Sequence, residues 1–230
     1  GSTCTLTAHV TIAASTLLEL SSESGSGDMA IISGGLTTGL FFVAGDFNVA
    51  DLILEKGKWD NPGAGIFVVG SATADARVHL LRSFVRSCES TKQGGAVLLN
   101  GNGGSAALVL TSSTLESNTG TRGGAIGVFA GGKIEVTEGT TTYLKNNQAT
   151  LYGGGIFIQD QLSSLNIAGA GTQLVLDGNT AQLGGGVCAL NSASLLVSAG
   201  AHLNVSNNEG SSGGGIFLQV AGTTLEILGS

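Results

Sequence analysis

The sequence predicts an all-β chain wound as a right-handed parallel β-helix, a solenoid of about seven three-strand coils. Three observations predict it. First, a glycine motif leading into a β-branched residue recurs as Gly63-Ala64-Gly65-Ile66, Gly94-Gly95-Ala96-Val97, Gly123-Gly124-Ala125-Ile126, Gly153-Gly154-Gly155-Ile156, Gly184-Gly185-Gly186-Val187 and Gly213-Gly214-Gly215-Ile216. Second, successive motifs start 31, 29, 30, 31 and 29 residues apart, and a fixed period in this range marks supersecondary units that stack on one another. Third, short apolar-x-apolar triplets recur inside every repeat with the period of a strand, while no window carries a helical stripe.

The elements follow in chain order. Leu6 to Ile12 and Leu17 to Leu20 supply part of a first coil, and Ser21 to Asp28 reads as a polar, mobile loop. Met29 to Ile32, Leu40-Phe41-Phe42 and Leu52-Ile53-Leu54 read as the first, second and third strands of the next coil. Residues 1–57 thus form irregular N-terminal coils, or a cap, and residues 58–230 carry the regular repeats of one domain. In each regular repeat the first strand follows the glycines, as in Ile66-Phe67-Val68 or Ile156-Phe157-Ile158. The second is a triplet such as Val78-His79-Leu80 or Leu165-Asn166-Ile167, and the third ends in Val85, Leu115, Leu144, Leu176 or Val205. The glycines fit a corner where the backbone needs unusual φ or close approach. Leu225 to Ser230 stops after a second strand, which predicts a piece cut from a longer protein.

Two further columns fix the register. Three residues after the third-strand aliphatic stand Cys88, Asn118, Asn147, Asn179 and Asn208. Asparagine suits turns and can bond its counterparts above and below, so an asparagine ladder is expected at one corner. Directly after the same aliphatic stand Glu55, Arg86, Glu116, Lys145, Asp177 and Ser206. The alternating signs predict stabilising neighbours along a stack, in preference to a catalytic pairing of Glu116 with Asp177.

Composition narrows function. Glycine numbers 39 against a single proline, hydrophobic residues make up 42% and charged residues only 11%. The net charge of −7 offers no basic footprint for nucleic acid or an anionic membrane. No apolar run approaches the ~18 residues of a membrane span, so no direct membrane insertion is expected. The opening Gly1-Ser2 reads as the scar of a cleaved tag. Cys4, Cys88 and Cys188 lack metal or disulfide spacing, and His9, His79 and His202 lack ligand spacing, so neither a metal nor a cofactor is expected. The glycine runs are not phosphate loops, since no helix and no Gly-Lys-Ser/Thr follows them.

The glycine motif, preceded by Leu115-Glu116-Ser117-Asn118, Leu144-Lys145-Asn146-Asn147, Leu176-Asp177-Gly178-Asn179 and Val205-Ser206-Asn207-Asn208, resembles the GGA(I/L/V) and FxxN repeats of the chlamydial polymorphic membrane proteins. An aliphatic residue stands here where those repeats carry phenylalanine. The resemblance covers roughly Leu115 to Leu218 well and Leu54 to Val97 loosely. It implies an autotransporter passenger: a β-helix displayed at the outer membrane or cell surface, adhesive or structural, and not an enzyme. The expected partner is a protein or glycan of a host or neighbouring cell, or a second copy of the chain.

Two other functions compete with this one. A polysaccharide lyase or hydrolase would need converging carboxylates or bases on one sheet face. The outward second-strand column, His79, Val109, Glu135, Asn166, Leu196 and Glu226, has no such pair, so no catalytic residue is assigned. In Lys58-Trp59-Asp60-Asn61, Trp59 offers either a ring to stack on sugar or a plug for its own loop. Ice binding would need a regular threonine row, and Thr111 and Thr137 share theirs with Leu81, Ala168, Ser198 and Leu228. If the residue after each glycine motif points inward, the next points out. That column, Phe67, Leu98, Gly127, Phe157, Cys188 and Phe217, is the candidate binding stripe, with Phe67, Leu98, Phe157 and Phe217 as contact residues. The alternative is that the chain's own segments cover it.

Overall fold

A computed structural model describes residues 2–22, 29–60 and 62–228. Of the polar segment Ser21 to Asp28, residues 23–28 lie outside that range. Among the described residues there is no helix, and the chain winds as a parallel β-helix. Three of its ladders have eight strands and a fourth has six. At ~4.8 Å per step, ladders of this length give a tube roughly 34 Å long.

One coil shows the plan. Val97–Asn100 follows the glycines, Ala106–Thr111 and Thr114–Glu116 follow in turn, and Thr119–Arg122 closes the circuit. The last of these belongs to the short fourth ladder, Lys58–Trp59 through Glu209–Ser212, which the sequence reads only as a corner. Its strands carry no apolar alternation, and what makes them strands is backbone pairing from coil to coil, such as Thr119 with Gln148.

The apolar columns stack in register down the inside of the tube. Ile66, Val97, Ile126, Ile156 and Val187 form one, and Val78, Leu108, Ile134, Leu165 and Leu195 another. All ten belong to one continuous buried core. Burying such a side chain contributes about 1.5–3 kcal/mol, so each coil is held by its neighbours rather than by itself.

The glycines earn their place geometrically. The first of each motif has positive φ, from 59° at Gly213 to 74° at Gly63, a region disfavoured for residues with a Cβ. At Gly153 a Cβ would also run into the carbonyl oxygen of Ile156.

The asparagine ladder is present and fully buried at Asn118, Asn147 and Asn179. Asn147 Nδ2 donates to Leu115 O and Asn179 Oδ1, both at 3.0 Å. Asn147 Oδ1 accepts from Asn118 N and Asn118 Nδ2, again at 3.0 Å. Each amide thereby ties three successive coils. The column ends at Cys88, which has no amide to pass on, and whose backbone N–H donates to Asn118 Oδ1. The residue just before each member has positive φ, as at Ser117 (55°) and Asn146 (56°), so a tight left-handed corner delivers the amide inward.

The charged column also stacks in register. Arg86 grips the buried Glu55 carboxylate with Nε at 2.9 Å and Nη2 at 2.8 Å, while Lys145 lies 3.9 Å from Glu116. Asp177 accepts from Ser206 Oγ and Asn207 Nδ2. Burial pushes the Glu55 carboxyl up, but hydrogen bonds from Arg86 and Lys56 outweigh it and hold the group below its ordinary value. A carboxylate depressed in the folded state adds stability above its unfolded pKa, and that stability is lost as pH falls through the folded value. Glu55→Gln is therefore expected to be less stable than the parent at pH 7, with the gap closing below pH ~4. Urea midpoints at the two pH values measure this.

Burial pushes the thiols of Cys88 and Cys188 up to about 12, whereas Cys4 is exposed. A thiolate-selective reagent at pH 7.5 should therefore modify one thiol of the native chain and all three after denaturation, which mass spectrometry reads directly.

The N-terminal coils correct the strand order expected there. Ala30–Ser33 lies in the third-strand ladder of its coil, beneath Leu52–Glu55. Phe41–Val43 is a first strand beneath Ile66–Val69, and Asp46–Ala50 is the second strand between them. The physical reason is that only Gly39 precedes this first strand, so the double-glycine marker is missing while the corner still forms.

Candidate functional site

The outward column of the glycine-following sheet runs in unbroken register: Thr11, Phe42, Phe67, Leu98, Gly127, Phe157, Cys188 and Phe217. Its side chains lie outside the tube core, as the alternation requires. They do not form one exposed stripe. Leu98 is 3% exposed and Phe157 and Cys188 are 0% exposed, so Leu98 and Phe157 drop out as contact residues. Phe67 and Phe217 are half-buried.

The chain's own flanks cover the middle. Phe129 packs 5.4 Å from Phe157, and Tyr152 stacks on it at 5.7 Å with 23° between the rings. Arg122 in turn lies 5.6 Å over the Tyr152 ring. Leu98 leans into the space left by Gly127, where a Cβ would come within 3.1 Å of Leu98 Cδ1. Tyr152 pairs with Arg122 and Leu183 in the fourth ladder. The residue before each glycine turn is therefore placed beside the stripe, and a large one there roofs it.

The N-terminal end of the same column stays open. His9, Thr11, Phe42, Trp59, Pro62 and Phe67 line a recess of about 440 Å³. Phe42 and Phe67 meet edge to face at 5.4 Å and 90°, and Trp59 meets Phe67 at 6.5 Å and 75°. The His9 ring sits 5.0 Å from the indole. Trp59 reaches this position because Gly39, which has no side chain, lies directly against its six-membered ring. Among the described residues, Trp59 Nε1–H, the His9 ring and the Thr11 hydroxyl make no hydrogen bond to the protein. Trp59 also borders a second, polar recess of about 510 Å³ lined by Leu36, Thr37, Thr38, Lys58 and Asp60.

Of the residues singled out in the sequence, the structure thus brings Phe67 and Trp59 together and leaves Phe217 far along the column. His9, Thr11, Phe42 and Pro62 are additions. Reading Phe41-Phe42-Val43 as a first strand would have set Phe42 next to Phe67 and revealed the cluster. The carboxylates are dispersed, and Lys145 stands between Glu116 and Asp177 in their ladder. Glu135 pairs with Arg77 at 3.2 Å on the second-strand sheet, and Asp60 stands beside Trp59 at another corner. On the same sheet as Glu135, His79 bonds Thr111 Oγ1 at 3.1 Å, and burial lowers its pKa below the ordinary imidazole value. Among the described residues no group of three or more His, Cys, Asp or Glu side chains is placed to hold a metal ion, and no helix is long and apolar enough to cross a membrane.

Fold and site together define a class, a parallel β-helix carrying an aromatic recess near its N-terminal end. The chain matches no protein-family model, no curated protein and no solved structure.

Proposed function

We propose that this chain is a binding module displayed outside the cell, an adhesive or structural passenger rather than an enzyme, and that the aromatic recess is its contact site. The observation that carries the reading is the recess itself. In the middle of the column flanking side chains roof the apolar residues, whereas here rings and unpaired polar groups meet at one accessible place. A concave, largely apolar pocket with a few convergent polar groups is the usual form of a binding site. A rigid solenoid suits such a role because it holds the site without a lid or hinge. Display outside the cell rests on the likeness of the glycine repeats to surface passengers.

The test is adhesion of beads coated with the chain to panels of host-type and microbial cells, compared with beads carrying Trp59→Ala or Phe67→Ala. Parent beads should adhere, and both variants should lose most of that adhesion while keeping their strand circular dichroism. Equal adhesion by parent and variants would remove the recess from the function, and adhesion by none would remove the function.

A further inference from the structure

The chemistry of the recess narrows its ligand, on the reading that it is the binding site. Its floor is four apolar or aromatic side chains, Phe42, Trp59, Pro62 and Phe67, and its rim is His9 and Thr11. The ligand therefore needs an apolar face, and it also needs hydroxyls or carbonyls for Trp59 Nε1–H, the imidazole and the Thr11 hydroxyl, none of which is hydrogen-bonded among the described residues. Across Trp59 the second recess continues with Thr37, Thr38, Lys58 and Asp60, which are hydrogen-bonding groups of both signs. Lys58 is already paired with Glu89 at 3.3 Å, so it adds donors there more than net charge.

Charge and size exclude the competitors. Among the described residues the aromatic recess holds no carboxylate and no Lys or Arg, so it offers no ion-pair partner to a charged ligand. Among the described residues six side chains line it, far fewer than the roughly 20–30 residues a side of a stable protein interface. A quaternary ammonium would draw on ring faces alone and would leave the polar rim unpaired. We propose that the two recesses form one site for a neutral oligosaccharide. The C–H face of one pyranose lies on Phe42, Phe67 and Trp59, and a following unit turns its hydroxyls to Thr38 and Asp60. The mixed apolar face and hydroxyl edge of a sugar ring matches this division of the site, whereas a peptide side chain supplies one or the other.

The sole tryptophan of the chain is Trp59, so emission excited to the red of tyrosine absorption reports this site. Biotinylated chain is applied to an array of neutral, sialylated and sulfated glycans, and hits are titrated in solution against Trp59 emission. The expected result is binding to at least one neutral oligosaccharide with a shift in emission. Trp59→Ala, scored on the array, should lose at least tenfold in affinity. His9→Ala, at an exposed position, should lose severalfold with an unchanged melting temperature. Tetramethylammonium and a proline-rich peptide are titrated alongside. If no neutral glycan binds but one of these shifts Trp59 emission, the sugar assignment is overturned and the recess stands as a binding site. Binding confined to acidic glycans overturns it equally. If nothing shifts Trp59 emission and cell adhesion survives Trp59→Ala, both the ligand class and the site fall.

Discussion

Replacing Asn147 by alanine should destabilise the chain by ~3 kcal/mol or more, among the largest effects of any single substitution outside the apolar core. The reasoning is a count of orphaned groups. The side chain makes four hydrogen bonds, two donated through Nδ2 and two accepted through Oδ1. Its removal leaves Asn118 N–H and one Asn118 amide proton without partners, and takes one donor each from Leu115 O and Asn179 Oδ1. Asn118 and Leu115 are fully buried, where each unmade bond costs about 1–3 kcal/mol because water cannot replace the lost partner. Asn147→Asp should be worse, since it sets acceptors against Leu115 O and Asn179 Oδ1. Asn208→Ala is the internal control. Asn208 is partly buried and makes three side-chain bonds, its Nδ2 donating to Leu176 O and its Oδ1 accepting from Asn179 N and Nδ2, at a corner nearer solvent, so its loss should cost less. In a solenoid stability sums over neighbouring coils, so the Asn147 lesion should also broaden the urea transition as the stack separates into two cooperative blocks. A midpoint within error of the parent would show that the ladder adds nothing to coil stacking.

That prediction rests on a feature legible in the sequence. The asparagine and glycine columns are periodic, and each has a local cause: a left-handed corner before Asn118 or Asn147, and a positive φ at Gly94 or Gly153. Local causes repeated at fixed spacing can be read from one chain. The fourth ladder could not be read this way, because Thr119-Gly120-Thr121-Arg122 carries no apolar alternation and becomes a strand only through its neighbours in space. The strand order of the first coils is hidden for the related reason that their corner lacks the paired glycines. The site was half legible. Column membership of Phe67, Leu98, Phe157 and Phe217 follows from period-2 alternation, but exposure depends on what stands beside the column. Tyr152 and Phe129 lie five residues before and 28 before Phe157 in sequence, and nothing in the strand pattern says that they roof it. His9 and Trp59, which shape the open end, meet from 50 residues apart.

The two ends of that column should respond to mutation in opposite ways. Phe157→Ser is expected to cost ~3–5 kcal/mol, the range for deleting a buried phenylalanine side chain, because the ring is fully buried between Phe129 and Tyr152. The serine adds a hydroxyl with no arranged partner, and Tyr152 loses its stacking neighbour, which loosens the Arg122 contact as well. Phe157→Leu should recover much of the loss, since it restores apolar volume without the ring. Ligand affinity at the recess, measured on the fraction that remains folded, should be unchanged by either substitution. Phe157 is three coils from Phe67 through Leu98 and Gly127, roughly 14 Å along the stack, and distant sites without shared partners act independently. Phe67→Ser should do the reverse. Its ring is half-buried and borders open space, so a smaller stability loss should accompany loss of binding. Thermal melts and Trp59 titrations on the same four proteins decide the matter. If Phe157→Ser leaves the melting temperature in place and weakens binding instead, the covered middle of the column opens in solution and the contact surface runs the length of the sheet.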